Sequence, residues 1–599
     1  MRIILFTLLL FSAFNIFGQT ITIEGNVFLE SQTNHENIYV VFNRLAPSTG
    51  QYTAYTNSSG NYELDIETGI YNISISKPDY LCYEITNLPL YNTTTFDAET
   101  LNEKGTIINV PSEMHTIQSA INCAKDGDTV IIDTGTYYEN IDFFGKDITV
   151  ASKYLTTGDQ SFIANTIIDG SHISHVVKFS NGETNSAKLI GLSITNGFAN
   201  GAFGTYETDG GGIVCYNSSP TLKYLKIYNN SSQDDNGSAG GGIHCENCNA
   251  IMDHLEVYDN NGADYHGGGG IHMSHGNPVI SNSQIYSNIT SGPGGGIRID
   301  DSSNPIISNV FVGYHTYEAA IEIGHSSNPI LQNVIIASNP GGAIHCETGA
   351  YLTLLNSVIY NNGEHYGTQG VLAFDNWADL KVVNTVFLKN NGLVILNRPS
   401  SPGDMDIQFC LFYENTENNF ENCGDYLEML VTNNANGDSI DAYNNLYIDP
   451  LFIDEVNLNF QLQISSPCID AGSNDNVNFS TDFSGNQRIY DGNGDDNDVV
   501  DMGAYEFGAP VFENISEQNP SNEFMLYPNP SNGIVYIETA ANIDNVNIEI
   551  YSSNGKLIGR ERYMNKKVFL LDINNYDSGL YIIRIFNDSF SKTKRLIKY

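Results

Sequence analysis

Between residues 210 and 347 the sequence returns to a short phrase, and imidazole, carboxylate and guanidinium groups recur at fixed places after it. The phrase is GGGI, at Gly210 to Ile213, Gly240 to Ile243, Gly268 to Ile271 and Gly294 to Ile297, after which it decays to AAIEI and GGAIHC. If each Ile lies in a strand and points inward, the residue after it points outward. Up the repeats that position reads Val214, His244, His272, Arg298, Glu322 and His345. Two residues further on the outward row is Tyr216, Glu246, Ser274, Asp300, Gly324 and Glu347. The patch carries the parts for acid–base chemistry: His272 as a base, Arg298 as a neutralising cation, Asp300 and Glu322 as paired carboxyls. His244, Glu246, His345 and Glu347 flank them as substrate-binding positions. The same residues also read as a self-compensating surface ladder with Arg298 between His272 and Glu322. Exposed pairs of that kind contribute about 0–1 kcal/mol and imply no activity.

Two further groups could hold a metal. Asp491, Asn493, Asp495 and Asn497 place hard oxygen donors at every second residue, as a calcium loop does. The match is partial, because Asp496 stands where such a loop has Gly and Met502 where it closes with Glu. Cys245 and Cys248 form a CxxC, but no second pair has zinc-like spacing, and structural zinc takes four ligands. Cys215, Cys245 and Cys346 each follow the repeated Ile by two residues, which sets them on the inward face as small core hydrophobes.

The elements that must position these residues are the repeats themselves. Ile213, Ile243, Ile271, Ile297, Ile321 and Ile344 are separated by 30, 28, 26, 24 and 23 residues. A second apolar column, Ile227, Val257, Ile285, Val312, Ile336, Ile359, Phe387 and Phe412, keeps step with the first. Three residues after most of its members comes Asn (Asn230, Asn260, Asn288, Asn339, Asn362, Asn390, Asn415), with His315 as the exception. Three residues before the later ones comes another, at Asn282, Asn309, Asn333, Asn356 and Asn384. Coils of changing length that hold both columns in register are stacked parallel strands with the variable loops outside. Stacking then fills the core with Ile and lets the Asn amides bond along the ladder, while the Gly runs allow positive φ and close backbone approach at the corner. From about residue 105 to 470 the period gives about 12 to 15 coils.

Composition excludes some partners. The 599 residues contain 26 Lys and Arg against 69 Asp and Glu, a formal charge of −43, which disfavours nucleic acid and anionic membranes and penalises a polyanionic substrate. Arg2, the apolar run Ile3 to Phe17 and Gly18 before Gln19 predict a secretory signal over 1–18. No later stretch is long and apolar enough for a transmembrane helix. Nine Cys is odd, so at least one thiol stays outside any intrachain pairing.

Four segments resemble known families. Residues 19–102, with Gly25 to Val27, Thr56 to Tyr62 and Gly69 to Tyr80, resemble the carboxypeptidase regulatory-like domains of exported bacterial proteins, which are non-catalytic spacers or binding units. The phrase HTIQSAINCAKDGDTVIIDTGTYYEN resembles the amino-terminal cap and first rung of right-handed parallel β-helices of the pectate-lyase-like superfamily. Pro467 to Gly472, Asp482 to Arg488 and Asp501 to Glu506 resemble the carboxy-terminal signature of choice-of-anchor bacterial surface β-helices, and this segment is expected to cap the last coil. Tyr527 to Gly533, Asn554 to Leu557, Ser578 to Tyr581 and the basic end Lys592 to Lys598 resemble the type A sorting domain of the type IX secretion system of Bacteroidetes.

These resemblances imply an all-β molecule, a right-handed parallel β-helix solenoid flanked by two small β-sandwich domains. Its segments are a signal peptide (1–18), a sandwich (19–102), the β-helix (103–470), a cap (471–508), a linker (509–522) and a sorting domain (523–599). The sorting domain implies the type IX machinery as a partner and a place on the outer-membrane surface or outside the cell. The superfamily's usual work implies a polysaccharide groove at the outward patch. A lyase would use His272 and Arg298 on a uronate, with Asp300 or Glu322 holding calcium. A glycoside hydrolase would use two carboxyls about 5–5.5 Å apart, or about 6.5–9.5 Å for inversion. A non-catalytic adhesin or structural surface protein is the other class, and no residue set here matches a known lyase motif.

Overall fold

The computed structural model describes residues 19–511, apart from 200–208, 233–238, 263–266, 317, 365–369 and 399, together with most of 525–598. The expected signal (1–18) and nearly all of the expected linker lie outside the described residues, as do parts of three sorting motifs. The chain divides into two compact units, 1–510 and 511–599.

In the first unit, alternation of apolar and polar residues over residues 20–101 builds one mixed and one antiparallel sheet that share one core, including Ile23, Phe42, Ile66 and Tyr71. The solenoid opens with the strand Ile107–Val110 and the helix Ile117–Cys123. Glu139 accepts hydrogen bonds from the amides of Ile117 and Gln118 at its start (2.9 Å each). Lys146 donates to the carbonyls of Ile121, Asn122 and Ala124 at its end (2.8, 2.7 and 2.9 Å). Opposite charges thus sit at the two ends of the helix in the sense its dipole favours. The Cys82–Cys123 disulfide joins the helix to the preceding sandwich.

Three parallel sheets wind from there. One carries the GGGI strands, eleven of them from Ile141–Asp142 to Phe420–Glu421. A second runs from Ile107–Val110 to Met405–Gln408, and a third from Gly135–Tyr138 to Leu411–Tyr413. Ile213, Ile243, Ile271, Ile297, Ile321 and Ile344 are register partners and fully buried, as the repeat requires. The amide of Asn230 donates to Asn260 (3.0 Å) and that of Asn260 to Asn288 (2.9 Å), and the ladder resumes from Asn339 through Asn362 and Asn390 to Asn415. The glycines fit this ladder. The first Gly of each phrase has φ between +66° and +73°, and a Cβ on Gly242 would lie 2.6 Å from the Gly270 carbonyl and 3.0 Å from the Asn260 amide.

The later Asn column has a different task. Asn282, Asn309, Asn333, Asn356 and Asn384 all have φ near +50°, a left-handed turn that Asn tolerates better than most residues. They form the corner between the second and third sheets.

The carboxy-terminal part of this unit departs from expectation. The solenoid strands end at Glu421 rather than near 470, and the second sheet has twelve strands, at the lower edge of the expected coil number. The last coil is covered by residues 423–447, where Leu446 bridges to Leu411 and the Tyr447 ring stacks on Phe412. Residues 468–506 do not cap the end. They fold back along the outside of the third sheet as a strap, packing Cys468, Ile469, Met502 and Ala504 on Ile335, Val358, Val386 and Leu411. The physical reason is the loss of alternation on that sheet. Its outward register column runs Lys226, Glu256, Gln284, then Phe311, Ile335, Val358, Val386, Leu411, and strands apolar on both faces need a cover. The left-handed Asn corners hold the strap: Asn333 donates to the Thr481 carbonyl (2.6 Å), Asn356 to Asp501 (3.3 Å) and Asn384 to Ser473 (2.9 Å).

The second unit contains a three-stranded sheet with Ile534–Ile543 at its centre and a four-stranded sheet of Leu557–Tyr563, Val546–Ser552, Gly579–Phe586 and Ser591–Lys598. Val535, Ile537, Ile548, Ile583 and Leu596 meet in one core between them.

Candidate functional site

The outward column stands where the spacing sets it, but it is not an exposed ladder. His244, His272, Arg298, Glu322 and His345 are register partners on successive GGGI-sheet strands, and each is 7 % exposed or less. One cause is local. The first glycine of the phrase lies against the column, so that a Cβ on Gly210 would sit 3.0 Å from the His244 Cβ and one on Gly268 2.9 Å from that of His272. The small energies of exposed pairs therefore do not apply here. Removing one member of a buried pair costs about 3–5 kcal/mol, because it strands the other.

The column splits into two networks. In the lower one the His244 and His272 rings stack at 5.0 Å with their Nδ1 atoms 3.2 Å apart, so one nitrogen carries the proton and the other accepts it. His244 Nε2 faces Asp209 at 3.9 Å and Glu246 at 3.8 Å. Burial alone would lower the pKa of His244, but Asp209 and Glu246 reverse this and raise it.

In the upper network Arg298 turns toward the later coils. Its guanidinium reaches Asp300 (3.0 Å), Glu322 (3.3 Å) and Glu347 (2.8 Å). Burial opposes its charge, and the three carboxylates more than compensate, so that its pKa is raised. Gly324 makes the room: a Cβ there would lie 2.0 Å from Asp300 Oδ1. His345 Nδ1 lies 2.6 Å from Glu322 and its Nε2 3.4 Å from Asp375, and Arg398 reaches Asp375 at 3.1 Å. Burial would depress His345, but Glu322 and Asp375 overcome it and hold the pKa up at about 10. His325 closes the rim on Glu347 at 2.5 Å.

The structure thus brings Arg298, Asp300, Glu322, His345 and Glu347 together, and places His244 with Glu246 and His272. Chemically the upper network neutralises itself. An arginine engaged by three carboxylates is a joint between coils, and its Nε and Nη2 already face Asp300 and Glu347.

Three more residues outside the sequence-derived set, besides His325, complete the rim. The outward row continues past Glu347 to Asp375 and Arg398, in register on the next two coils. Beside them Trp377, the chain's single tryptophan, is 64 % exposed with φ +56°. Its amide donates to the Ser401 carbonyl (2.7 Å), which fixes the turn. The left-handed turn is shared with Phe144, Tyr224, Tyr314 and Phe409 elsewhere in the chain, so it is the exposure of the indole, not its backbone, that sets Trp377 apart as a contact surface. The GGGI marker has vanished by these coils, so the row could have been followed only through the second apolar column.

The acidic loop is occupied by its own backbone. Asp491 accepts hydrogen bonds from the amides of Gly494, Asp495 and Asp496 (2.6, 3.1 and 2.8 Å), and Asp495 accepts one from Asn497 (3.0 Å). Asn493 donates its own amide to Asp470 (2.7 Å).

Comparison with known proteins agrees with the geometry. Residues 269–446 match the family described as right handed beta helix region, and residues 525–599 match the secretion system C-terminal sorting domain. The chain is therefore a parallel β-helix protein with a type IX sorting tail, exported and displayed at the cell surface or released outside it, and the tail implies contact with the secretion machinery. No curated protein matches the sequence. Among solved structures, pectate lyase Pel9A is 14 % identical over 67 % of this chain and 96 % of its own, with a TM-score of 0.35. The catalytic unit of an α-1,3-glucanase from Streptomyces thermodiastaticus is 10 % identical over 67 % and 88 %, with a TM-score of 0.25. A cohesin–X-dockerin complex from Acetivibrio cellulolyticus aligns at 21 % identity over 15 % and 67 %, with a TM-score of 0.13. No helix among the described residues is long and apolar enough to cross a membrane.

Proposed function

We propose that the protein holds extracellular polysaccharide at the cell surface without cleaving it, on the rim formed by His325, Glu347, Asp375, Trp377 and Arg398. The observation that carries this reading is the exposed Trp377, fixed in a left-handed turn beside charged groups that are already paired. An indole face with polar neighbours is the usual platform for a pyranose ring, whose axial C–H groups stack on it while its hydroxyls bond to the rim. The inward half of the site supports binding over catalysis, since Arg298 is engaged by Asp300, Glu322 and Glu347 and cannot pair with a uronate without leaving them unpaired. The charge of −43 points to a neutral polysaccharide.

The test is electrophoresis of the purified full chain through gels containing individual polysaccharides, with a reducing-end assay on the same mixtures. The expected result is retardation by at least one neutral polysaccharide, at least tenfold weaker in Trp377→Ala, with no new reducing ends. Trp377→Ala should leave stability within about 0.5 kcal/mol, as exposed substitutions do. Retardation unchanged in Trp377→Ala would remove the platform from the site. Release of new ends that is lost in Asp300→Asn or Glu322→Gln would make the protein an enzyme instead.

A further inference from the structure

Inside the solenoid three cysteines from two coils converge. Cys215 and Cys245 are register partners on neighbouring GGGI-sheet strands, both pointing inward. Cys248 follows the left-handed residue Asn247 (φ +51°), which turns the chain so that the third thiol also faces the core. The three Sγ atoms all lie within 4.8 Å of one another, and all three residues are buried. The other inward thiols behave differently: Cys410 and Cys423 donate to backbone carbonyls, Cys410 to Gln408 at 3.1 Å and Cys423 to Glu421 at 3.3 Å. The next register partner of Cys245 is Met273, a fully buried thioether. His244 is on the same strand but points to the opposite face.

We infer that Cys215, Cys245 and Cys248 form a binding site for one soft, thiolate-preferring d¹⁰ cation, with Cu(I) as the representative ion. The donor set decides the class. Three thiols and a neighbouring thioether in an apolar core suit a soft monovalent ion, whereas calcium and magnesium require oxygen ligands and structural zinc a fourth nitrogen, sulfur or carboxylate donor. Binding forms up to three Cu–S bonds, and each coordinating thiol releases its proton to solvent. No electron moves, because the ion enters as Cu(I). The site spans two coils, so the ion is taken up as they close, and it ties Cys215 of one to Cys245 and Cys248 of the next.

The experiment uses the full chain, reduced and refolded from denaturant under nitrogen with Cu(I), then challenged with a chromophoric Cu(I) chelator. The expected result is one Cu(I) per chain withheld from the chelator, an ultraviolet sulfur-to-copper charge-transfer band, and a higher melting midpoint than the metal-free protein. Cys248→Ser and Cys215→Ser should lose the band and hold the ion at least tenfold more weakly. Cys346→Ser, at a single inward thiol, should retain both. Ser218 already occupies the turn position of Cys248 one coil earlier, so Cys248→Ser is compatible with the fold, and circular dichroism of each variant checks it. The inference is overturned if folded, reduced protein withholds no Cu(I), if Zn(II) displaces it at equal concentration, if Cys248→Ser binds as well as the parent, or if peptide mapping of the exported protein finds a disulfide among the three.

Discussion

Two buried arginines show how differently this acidic chain uses the same cation. Arg298, on the GGGI sheet, meets three carboxylates within 3.3 Å, and its network opens to solvent at His325 and Arg398. Arg488, in the strap, has no exposed side-chain surface and donates to the carbonyls of Asp501 (3.0 Å) and Gly503 (2.6 Å), with Glu506 at 3.6 Å. Around Arg298 each carboxylate is matched by a cation, and His345 is held protonated. Around Arg488 three carboxyls outnumber the one cation, and burial disfavours their charge: it pushes the carboxyl of Asp501 up to about 7 and that of Glu506 up to about 10. The first arrangement joins coils and leaves a polar rim open to solvent. The second closes a knot and leaves nothing outside.

The largest effect should come from breaking the closed knot. Arg488→Ala strands two carbonyls and a carboxyl in an apolar setting and should destabilise the first unit by about 3–5 kcal/mol, read from urea unfolding. A loss below about 1 kcal/mol would mean that the apolar contacts alone hold the strap. Arg298→Ala should come next, at about 2–3 kcal/mol, because water at the rim can solvate the abandoned Glu347 and Asp300.

The two networks should also separate by pH. Asp501 binds its proton more tightly folded than unfolded, so its contribution is present below about pH 4 and is lost as pH rises through about 7. His345 has a raised folded pKa, so its contribution is complete below about 6.5 and is lost as pH rises through about 10. Unfolding free energies across pH 4 to 10 should therefore fall in two stages, each on the order of 2 kcal/mol or more, the earlier flattened by Asp501→Asn and the later only in part by His345→Gln, because the Glu506 carboxyl of the strap is also held up at about 10. A single stage abolished by either variant would contradict the separation. The smallest effect concerns Asp491, whose carboxylate already accepts three amides: treatment with a calcium chelator should leave the melting midpoint within about 1 °C, measured by calorimetry.

Much of the solenoid was legible because its repeat is a distance constraint. The two apolar columns fixed register, inward face and Asn ladder, and each has its counterpart in the stacked strands. The HTIQSAINCAKDGDTV phrase was equally informative, since its downstream Glu139 caps the helix it predicts. What the spacing could not supply was cover. Period two distinguishes inward from outward, but outward residues become buried when a loop or strap lies over them, as happens to His244 and to Val358. The strap did leave a trace, in the change from Lys226, Glu256 and Gln284 to Ile335, Val358 and Val386. Convergence of Cys248 on Cys215 and Cys245 depended on a left-handed turn at Asn247, which the CxxC spacing does not encode.

The fold-back strap changes how this solenoid resists force and heat. A stack of coils touching only their neighbours unravels one rung at a time from its free end. Residues 468–506 lie across the coils that carry Asn333, Asn356, Asn384 and Leu411, so the terminal rungs must give way as a block after the strap peels. The strap thus works as a latch, and the last coils open only after it is released.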